Sequence, residues 1–330
     1  MTGAIEVEGL TKRFGEVAAL DGIDFEVRPR SVFGLLGPNG AGKTTAIRIL
    51  ATVLEPDAGS ARVLGHDVVR DPEAVRRVIG MAGQFAAVDP NLTGRENLRL
   101  IGLLTQMATS EIMPRATELL ARFRLDDAAD RPLRTYSGGM RRRLDIAAAL
   151  VPRPPVLFLD EPTTGLDLIS RNELWDMIRE LVGEGTTVLL TTQYLEEADK
   201  LAERIAVVDH GHVIADDTPA ALKAQLGSSV AELGFEGEEL ATRAATLLAA
   251  DHDGAERDGA TVRLSTNAGP RVLIDVLREL DREGLEPATL AVHEPSLDDV
   301  FLALTGRKGE GEEAPAETAM SRRRRRRGAA

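Results

Sequence analysis

SVFGLLGPNGAGKTTAIRIL, residues 31–50, changes periodicity twice within twenty residues. Residues 31–36 are a short apolar run, and residues 46–54 carry apolar side chains at helical spacing, so the stretch reads strand, loop, helix. The loop, Gly37-Pro38-Asn39-Gly40-Ala41-Gly42-Lys43-Thr44, fits the pattern G-x-x-x-x-G-K-[ST] and lies where that pattern cradles phosphate. Its glycines let backbone N–H groups curl around nucleotide β- and γ-phosphates. The helix N-terminus adds positive potential, Lys43 reaches the phosphates, and the hydroxyl of Thr44, with Thr45 beside it, faces Mg²⁺.

Outward from this loop, VLFL (156–159) and TVLLT (187–191) are continuous apolar runs, as buried parallel strands require. Helical patterns over 170–182 and 195–202 and a strand over 205–208 complete an alternation that predicts an α/β fold with a mainly parallel core sheet. The first of these strands ends in Asp160-Glu161. Two carboxylates there supply the second half of a metal-phosphate site: Asp160 holds Mg²⁺ through water, and Glu161 orients and deprotonates an attacking water. An ordinary pair of acids capping the next turn is the alternative.

Nearer the N-terminus, residues 4–8 and 23–27 alternate as half-buried strands do, with turns expected at 11–15 and at Asp21-Gly22. Residues 96–122 read as helices broken near Pro114. A new unit is expected from Gly227. There a strand (229–235), a helix (238–250), a hairpin (256–264) turning at Asp258-Gly259 as type I′, a helix (271–283) and a strand (288–292) spell βαββαβ, a ferredoxin-like order. A helix over 297–304 follows, expected to pack Leu297, Val300, Phe301 and Leu304 inward. The expected division is residues 1–226, with a helical part at about 85–155, then 227–306, then a tail from 307 to 330.

The chain has 330 residues, no Cys and a net charge of −13. Its last 24 residues hold eight basic residues and four Glu, net +4, so residues 1–306 carry −17. A body that acidic argues against nucleic acid as a partner, because phosphate contacts need clustered Lys and Arg. Arg322 to Arg327 in the tail suit anionic lipid heads at about 1 kcal/mol each, or simply a solvated tail. No run of 18 apolar residues and no signal-peptide pattern occurs, so the chain is expected to stay in the cytoplasm without crossing a membrane.

Tyr136-Ser137-Gly138-Gly139-Met140, 23 residues before Asp160, resembles the signature sequence of ATP-binding cassette (ABC) proteins. PTTGLD (162–167) looks like their D-loop, ending in Asp167, and Gln84 sits where their Q-loop glutamine sits. The resemblance covers about residues 5–215. It implies a P-loop NTPase cassette with an antiparallel β part and a helical subdomain, and Gln84 and Asp167 as nucleotide contacts, Gln84 also toward the metal. It further implies a head-to-tail dimer in which Ser137, Gly138 and Gly139 of one subunit close on the γ-phosphate held by the other. An SGG turn opening a helix offers N–H donors to an anion; read alone it is only a helix cap. Phe14 stands where the family stacks an aromatic ring under adenine. Stacking reads no base edge, so ATP is the expected nucleotide with GTP as an alternative.

Gln193 occupies the position at which family members usually carry a histidine against the γ-phosphate. A neutral amide hydrogen-bonds but carries neither proton nor positive charge. TTQYLEEAD (191–199) and EPSLDDVF (294–301) together are similar to the ATP-binding subunits of daunorubicin-resistance-type exporters. That resemblance implies ATP hydrolysis driving export of a hydrophobic drug or antibiotic through a separate integral permease, docked around residues 85–95, with lipid, glycolipid or polyketide as other cargoes. It places the chain on the cytoplasmic face of the membrane, with LDDVF a landmark of a regulatory, subunit-contacting C-terminal domain. A non-transport ABC protein is the competing class, disfavoured by the single P-loop and by a span from 45 to 137 too short for an inserted coiled coil.

Overall fold

The computed structural model of the chain describes residues 3–83, 88–226, 229–251, 255–266, 270–293 and 295–306. The tail with Arg322 to Arg327, the boundary at Gly227 and Gln84 lie outside the described residues.

The centre is a six-stranded sheet. Its strands are β3 (Val32–Leu36), β6 (Ile79–Ala82), β7 (Val156–Asp160), β8 (Thr187–Thr192), β9 (Arg204–Asp209) and β10 (His212–Asp217), in the order β10-β9-β3-β8-β7-β6. All neighbours are parallel except β9 and β10. Every residue of β3, β7 and β8 is buried, which explains why these strands read as unbroken apolar runs.

On one face lie α1 (Lys43–Leu50), α2 (Pro72–Val78) and an antiparallel sheet of β1 (Ile5–Phe14), β2 (Val17–Val27), β4 (Ala58–Val63) and β5 (His66–Asp67), ordered β2-β1-β4-β5. Phe25 and Phe33 stack across this interface with centroids 5.3 Å apart. The other face is covered by α5 (Gly138–Ala149), α6 (Leu168–Gly183) and α7 (Leu195–Leu201). In the same core are α3 (Gly94–Leu104), started by a Thr93–Glu96 capping box, and α4 (Thr109–Arg122).

Several local expectations need correction. β1 continues through Phe14, and the hairpin turns at Gly15-Glu16; Gly22 (φ 73°) lies inside β2, where the register shifts, so Asp21-Gly22 is an irregularity within a strand. The helical break falls at 105–108, while exposed Pro114 sits within α4, because Ile112, Ala116, Leu119 and Leu120 bury one continuous face.

The C-terminal unit has the expected order β11 (Ser229–Gly234), α9 (Glu238–Asp251), β12 (Ala255–Asp258), β13 (Thr261–Thr266), α10 (Pro270–Arg282) and β14 (Thr289–His293). Its antiparallel sheet runs β12-β13-β11-β14. The hairpin loop is Gly259-Ala260, one residue later than expected. Of these two, only Gly259 has positive φ (58°), and type I′ needs it at both positions. Finally α11 (Leu297–Thr305), with a Ser296–Asp299 capping box, returns to the first unit. Leu297, Val300 and Phe301 bury into the same core as Leu195 and Leu201 of α7 and Leu222 of α8 (Pro219–Ala224), each burial worth about 1.5–3 kcal/mol. Leu304, expected inside, remains 40% exposed at the helix end.

Candidate active site

Three strand ends meet at one edge of the central sheet. β8 lies between β3 and β7, with Leu36 level with Thr192 and Asp160 level with Thr191. The residues that follow each strand, Gly37, Glu161 and Gln193, therefore emerge side by side. This is where an open α/β sheet offers a ligand crevice.

The loop after β3 is held by its glycines. A Cβ on Gly37 would clash with the Val208 carbonyl and one on Gly42 with the Ala19 carbonyl; Gly42 also has φ 110°. Only glycine fits either place. Lys43 is 4% exposed, and its Nζ donates to the carbonyls of Gly37 (2.6 Å) and Pro38 (2.9 Å), arching over the loop it belongs to. The Nζ also lies 3.9 Å from Glu161 Oε1. Asn39 and Gly40 are exposed at the tip, Ala41 is buried beneath, and Thr45 is half-buried in the first turn of α1.

Asp160 is 2% exposed, and its Oδ1 accepts hydrogen bonds from Thr44 Oγ1 (3.1 Å) and Thr191 Oγ1 (2.6 Å). A hydroxyl and a carboxylate converging beside a phosphate loop are oxygen donors of the kind Mg²⁺ takes, so Thr44 and Asp160 fit that ion. Glu161 adopts φ 49°, a left-handed conformation unfavourable for a non-glycine residue. It is fixed there by its own N–H, which donates to the carbonyl and hydroxyl oxygens of Thr191, both at 3.1 Å. Thr164 Oγ1 donates to Glu161 Oε2 at 3.2 Å, which aims the carboxylate. Backbone strain of about 1–3 kcal/mol held by surrounding contacts is typical of a working residue.

Arg142, in the signature helix α5, went unnoticed in the sequence. It donates Nε to Pro162 O (2.8 Å), Nη1 to Gly83 O (2.8 Å) and Nη2 to Asp160 O (2.7 Å). It thus pins the residue before Gln84, the Asp160 strand end and the D-loop segment to α5. Burial pulls its pKa down, and Asp145 and Asp160 oppose that shift. The only available signal was its i,i+3 spacing to buried Asp145. Thr191 was likewise read only as part of a strand.

Ser137, Gly138, Gly139, Asp167 and Phe14 stand outside this set of cradle contacts. Ser137 caps α5, its hydroxyl accepting from Met140 N at 3.2 Å, and Ser137 and Gly138 are exposed, with Gly139 half-buried behind them. Asp167 caps α6 by accepting from Ser170 N at 2.8 Å, a bond that holds its carboxyl below the usual range. Its carboxylate is thus engaged within its own chain. Phe14 is 51% exposed near the β1–β2 turn, with Lys12 Nζ 5.9 Å from its ring centre, an open stacking platform. Gln193 is half-buried, and its Oε1 is a buried acceptor with no hydrogen-bond partner. A cleft of about 420 Å³ borders Gly83, Gly138, Arg142, Asp160, Glu161 and Thr164. No helix among the described residues is long and apolar enough to cross a membrane.

Residues 20–164 match the ABC transporter family. Over 92% of its length the chain is 53% identical to the daunorubicin/doxorubicin resistance ATP-binding protein DrrA of Streptomyces peucetius, 93% of which is covered. It is 40% identical, over 93% of its length and 95% of the other protein, to Nod factor export ATP-binding protein I of Ralstonia nicotianae. Among solved structures, a dimeric ATP-binding cassette in a post-hydrolysis state bound to ADP and Pi matches 65% of this chain and 98% of its own, with a TM-score of 0.60 and 27% identity.

Proposed function

Since this chain belongs to the ATP-binding family of ABC transporters, we propose that it hydrolyses ATP to power export of a hydrophobic drug or antibiotic through a separate permease. The observation that carries the reading is the single cradle in which Lys43 Nζ stands 3.9 Å from Glu161 Oε1 while Thr44 and Thr191 share Asp160 Oδ1. In it the P-loop N–H groups of Gly37 and of residues 39–45 and the Lys43 ammonium grip the phosphates, and Phe14 stacks on the base. Thr44 and Asp160, with Gln84, would hold Mg²⁺, which neutralises β- and γ-phosphate charge. Glu161 takes the proton of the attacking water as the water oxygen bonds to the γ-phosphorus and the bond from that phosphorus to the oxygen leaving with ADP breaks. Gln193, half-buried beside Glu161, orients that water through its amide. Ser137, Gly138 and Gly139 serve the nucleotide of a second copy in a head-to-tail dimer, and Asp167 positions the adjoining helix there. The complex sits on the cytoplasmic membrane face, with the permease against the helical part and the C-terminal unit regulating the pair of subunits.

Replacing a charge-assisted contact by an amide forfeits about 1.5–3 kcal/mol. Gln193→His is therefore expected to raise steady-state ATP turnover about 10–100-fold. A fall of tenfold or more would mean that the amide, not a charge, is what this site needs.

The proposal is tested by drug sensitivity of cells expressing the chain together with a candidate membrane permease, parent against Glu161→Gln. Resistance present in the parent and lost in the variant identifies ATP-driven efflux and its cargo. Absence of resistance with ATP turnover intact would overturn the drug as cargo. It would favour a lipid, glycolipid or polyketide as cargo.

A further inference from the structure

Tyr194 follows Gln193 directly and is the residue from which α7 starts. Helix starts favour Ser, Thr, Asp or Asn, whose side chains accept from the first free N–H groups. Tyr194 makes no such bond, and its own N–H donates to Thr192 Oγ1 at 2.9 Å. A ring at this place therefore serves something other than the start of the helix. It lies under the guanidinium of Arg171 from α6, which stands 4.8 Å from the ring centre. That is within reach of a cation–π contact, to which a planar guanidinium adds stacking. The Nε of Arg171 is buried and has no hydrogen-bond partner, so no bond at Nε draws the plane away from the ring.

The contact is the first rung of a ladder between two helices. Arg171, Trp175 and Arg179 are spaced four apart on α6 and share one face of it. Trp175 Nε1 donates to Glu197 Oε1 at 3.1 Å, and Arg179 Nη2 donates to the Lys200 carbonyl at 3.1 Å. These two later rungs join helix to helix. The first reaches past the start of α7 to the two-residue link, Gln193-Tyr194, that connects β8 to it. The anchor is firm, since Leu174, Trp175 and Ile178 of α6 are at most 1% exposed.

We propose that Arg171 is a positioning residue for hydrolysis: stacked on Tyr194, it fastens the Gln193 link to α6 and keeps the Gln193 amide aimed at the attacking water. It acts through Tyr194 and not on the nucleotide. The inference rests on the reading of Gln193 and Glu161 given under the proposed function. Without the stack the link is free to turn, and the amide spends less of its time in the productive orientation. The grip on ATP is unaffected, because the phosphates are held by the loop after β3 and the base by Phe14.

Steady-state hydrolysis of MgATP by the full-length chain tests this. Arg171→Met keeps the stem without the cation and is expected to lose about 3–10-fold in kcat, the worth of one such stack, with KM for ATP within about twofold. Tyr194→Leu should lose as much, whereas Tyr194→Phe, which keeps the ring, should run within about twofold of the parent. Two residues that act as one link are not additive, so the double variant Arg171→Met/Tyr194→Leu should be no slower than either single one. In a Gln193→Ala background, Arg171→Met should cost nothing further, an outcome that a general loss of stability would not give. The charge of Arg171 is also felt by the buried carboxyl of Glu197. Additive losses for Arg171→Met and Tyr194→Leu would therefore assign the arginine to that carboxyl and overturn the proposal. So would Tyr194→Phe as slow as Tyr194→Leu. Should Arg171→Met fail to fold, the two Tyr194 variants decide by themselves. Arg171→Met at the parent rate beside a slow Gln193→Ala would sink this inference and leave the reading of Gln193 standing, whereas Gln193→Ala at the parent rate would remove both.

Discussion

Glu161→Gln is expected to slow ATP hydrolysis by about 10²–10⁴-fold, the range a positioned general base contributes, while leaving ATP bound. The amide is the same size and keeps an oxygen to accept from Thr164, and the main-chain bonds to Thr191 that hold the residue at φ 49° are untouched. What disappears is the basic oxygen beside Lys43. Losing one negative charge near the phosphates should, if anything, tighten ATP. ATP-bound dimer is then expected to accumulate, seen as a shift in sedimentation or size exclusion with MgATP and as missing phosphate release in a single turnover. Turnover at the parent rate would remove Glu161 from its role.

Lys43→Ala acts in the opposite direction. The side chain is almost completely buried, spans its own loop through two carbonyls, and supplies the cradle's ammonium. Each charge-assisted contact is worth about 1.5–3 kcal/mol. Losing two phosphate contacts therefore weakens ATP binding by about two to four decades and takes hydrolysis to background. The two variants thus differ in the sign of their effect on ATP occupancy: Glu161→Gln fills the site, Lys43→Ala empties it. Lys43→Met, which keeps the buried stem without the charge, should match Ala in a nucleotide titration. Near-parent affinity in Met with loss in Ala would assign the effect to packing.

The cradle was legible because its parts are local. Gly37 to Thr44 follow one buried strand and Asp160-Glu161 end another, and unbroken apolar runs are the signature of strands covered on both faces. The βαββαβ order was legible for the same reason, since each short element carries its own periodicity. What escaped notice depends on partners far along the chain. Arg142 meets Gly83 across 59 residues, and Thr191 meets Asp160 across 31. Trp175 meets Glu197 across 22. A buried arginine or glutamate looks like a surface charge until its partners are placed. Turn positions failed for a narrower reason, because glycines such as Gly22 serve positive φ equally well inside a bulged strand and at a hairpin tip.

Helix α11 has a consequence for the order in which the protein can be made. Its Leu297, Val300 and Phe301 complete a core whose other members, Leu195, Leu201 and Leu222, are translated long before. At about 5–20 residues per second, the stretch from 226 to 306 takes roughly 4–16 s to emerge. During that interval the newborn cassette carries an uncovered greasy patch beside the segment that holds Gln193. A message truncated after residue 226 would leave that patch bare for good. The arrival of α11 is therefore the step that closes that patch.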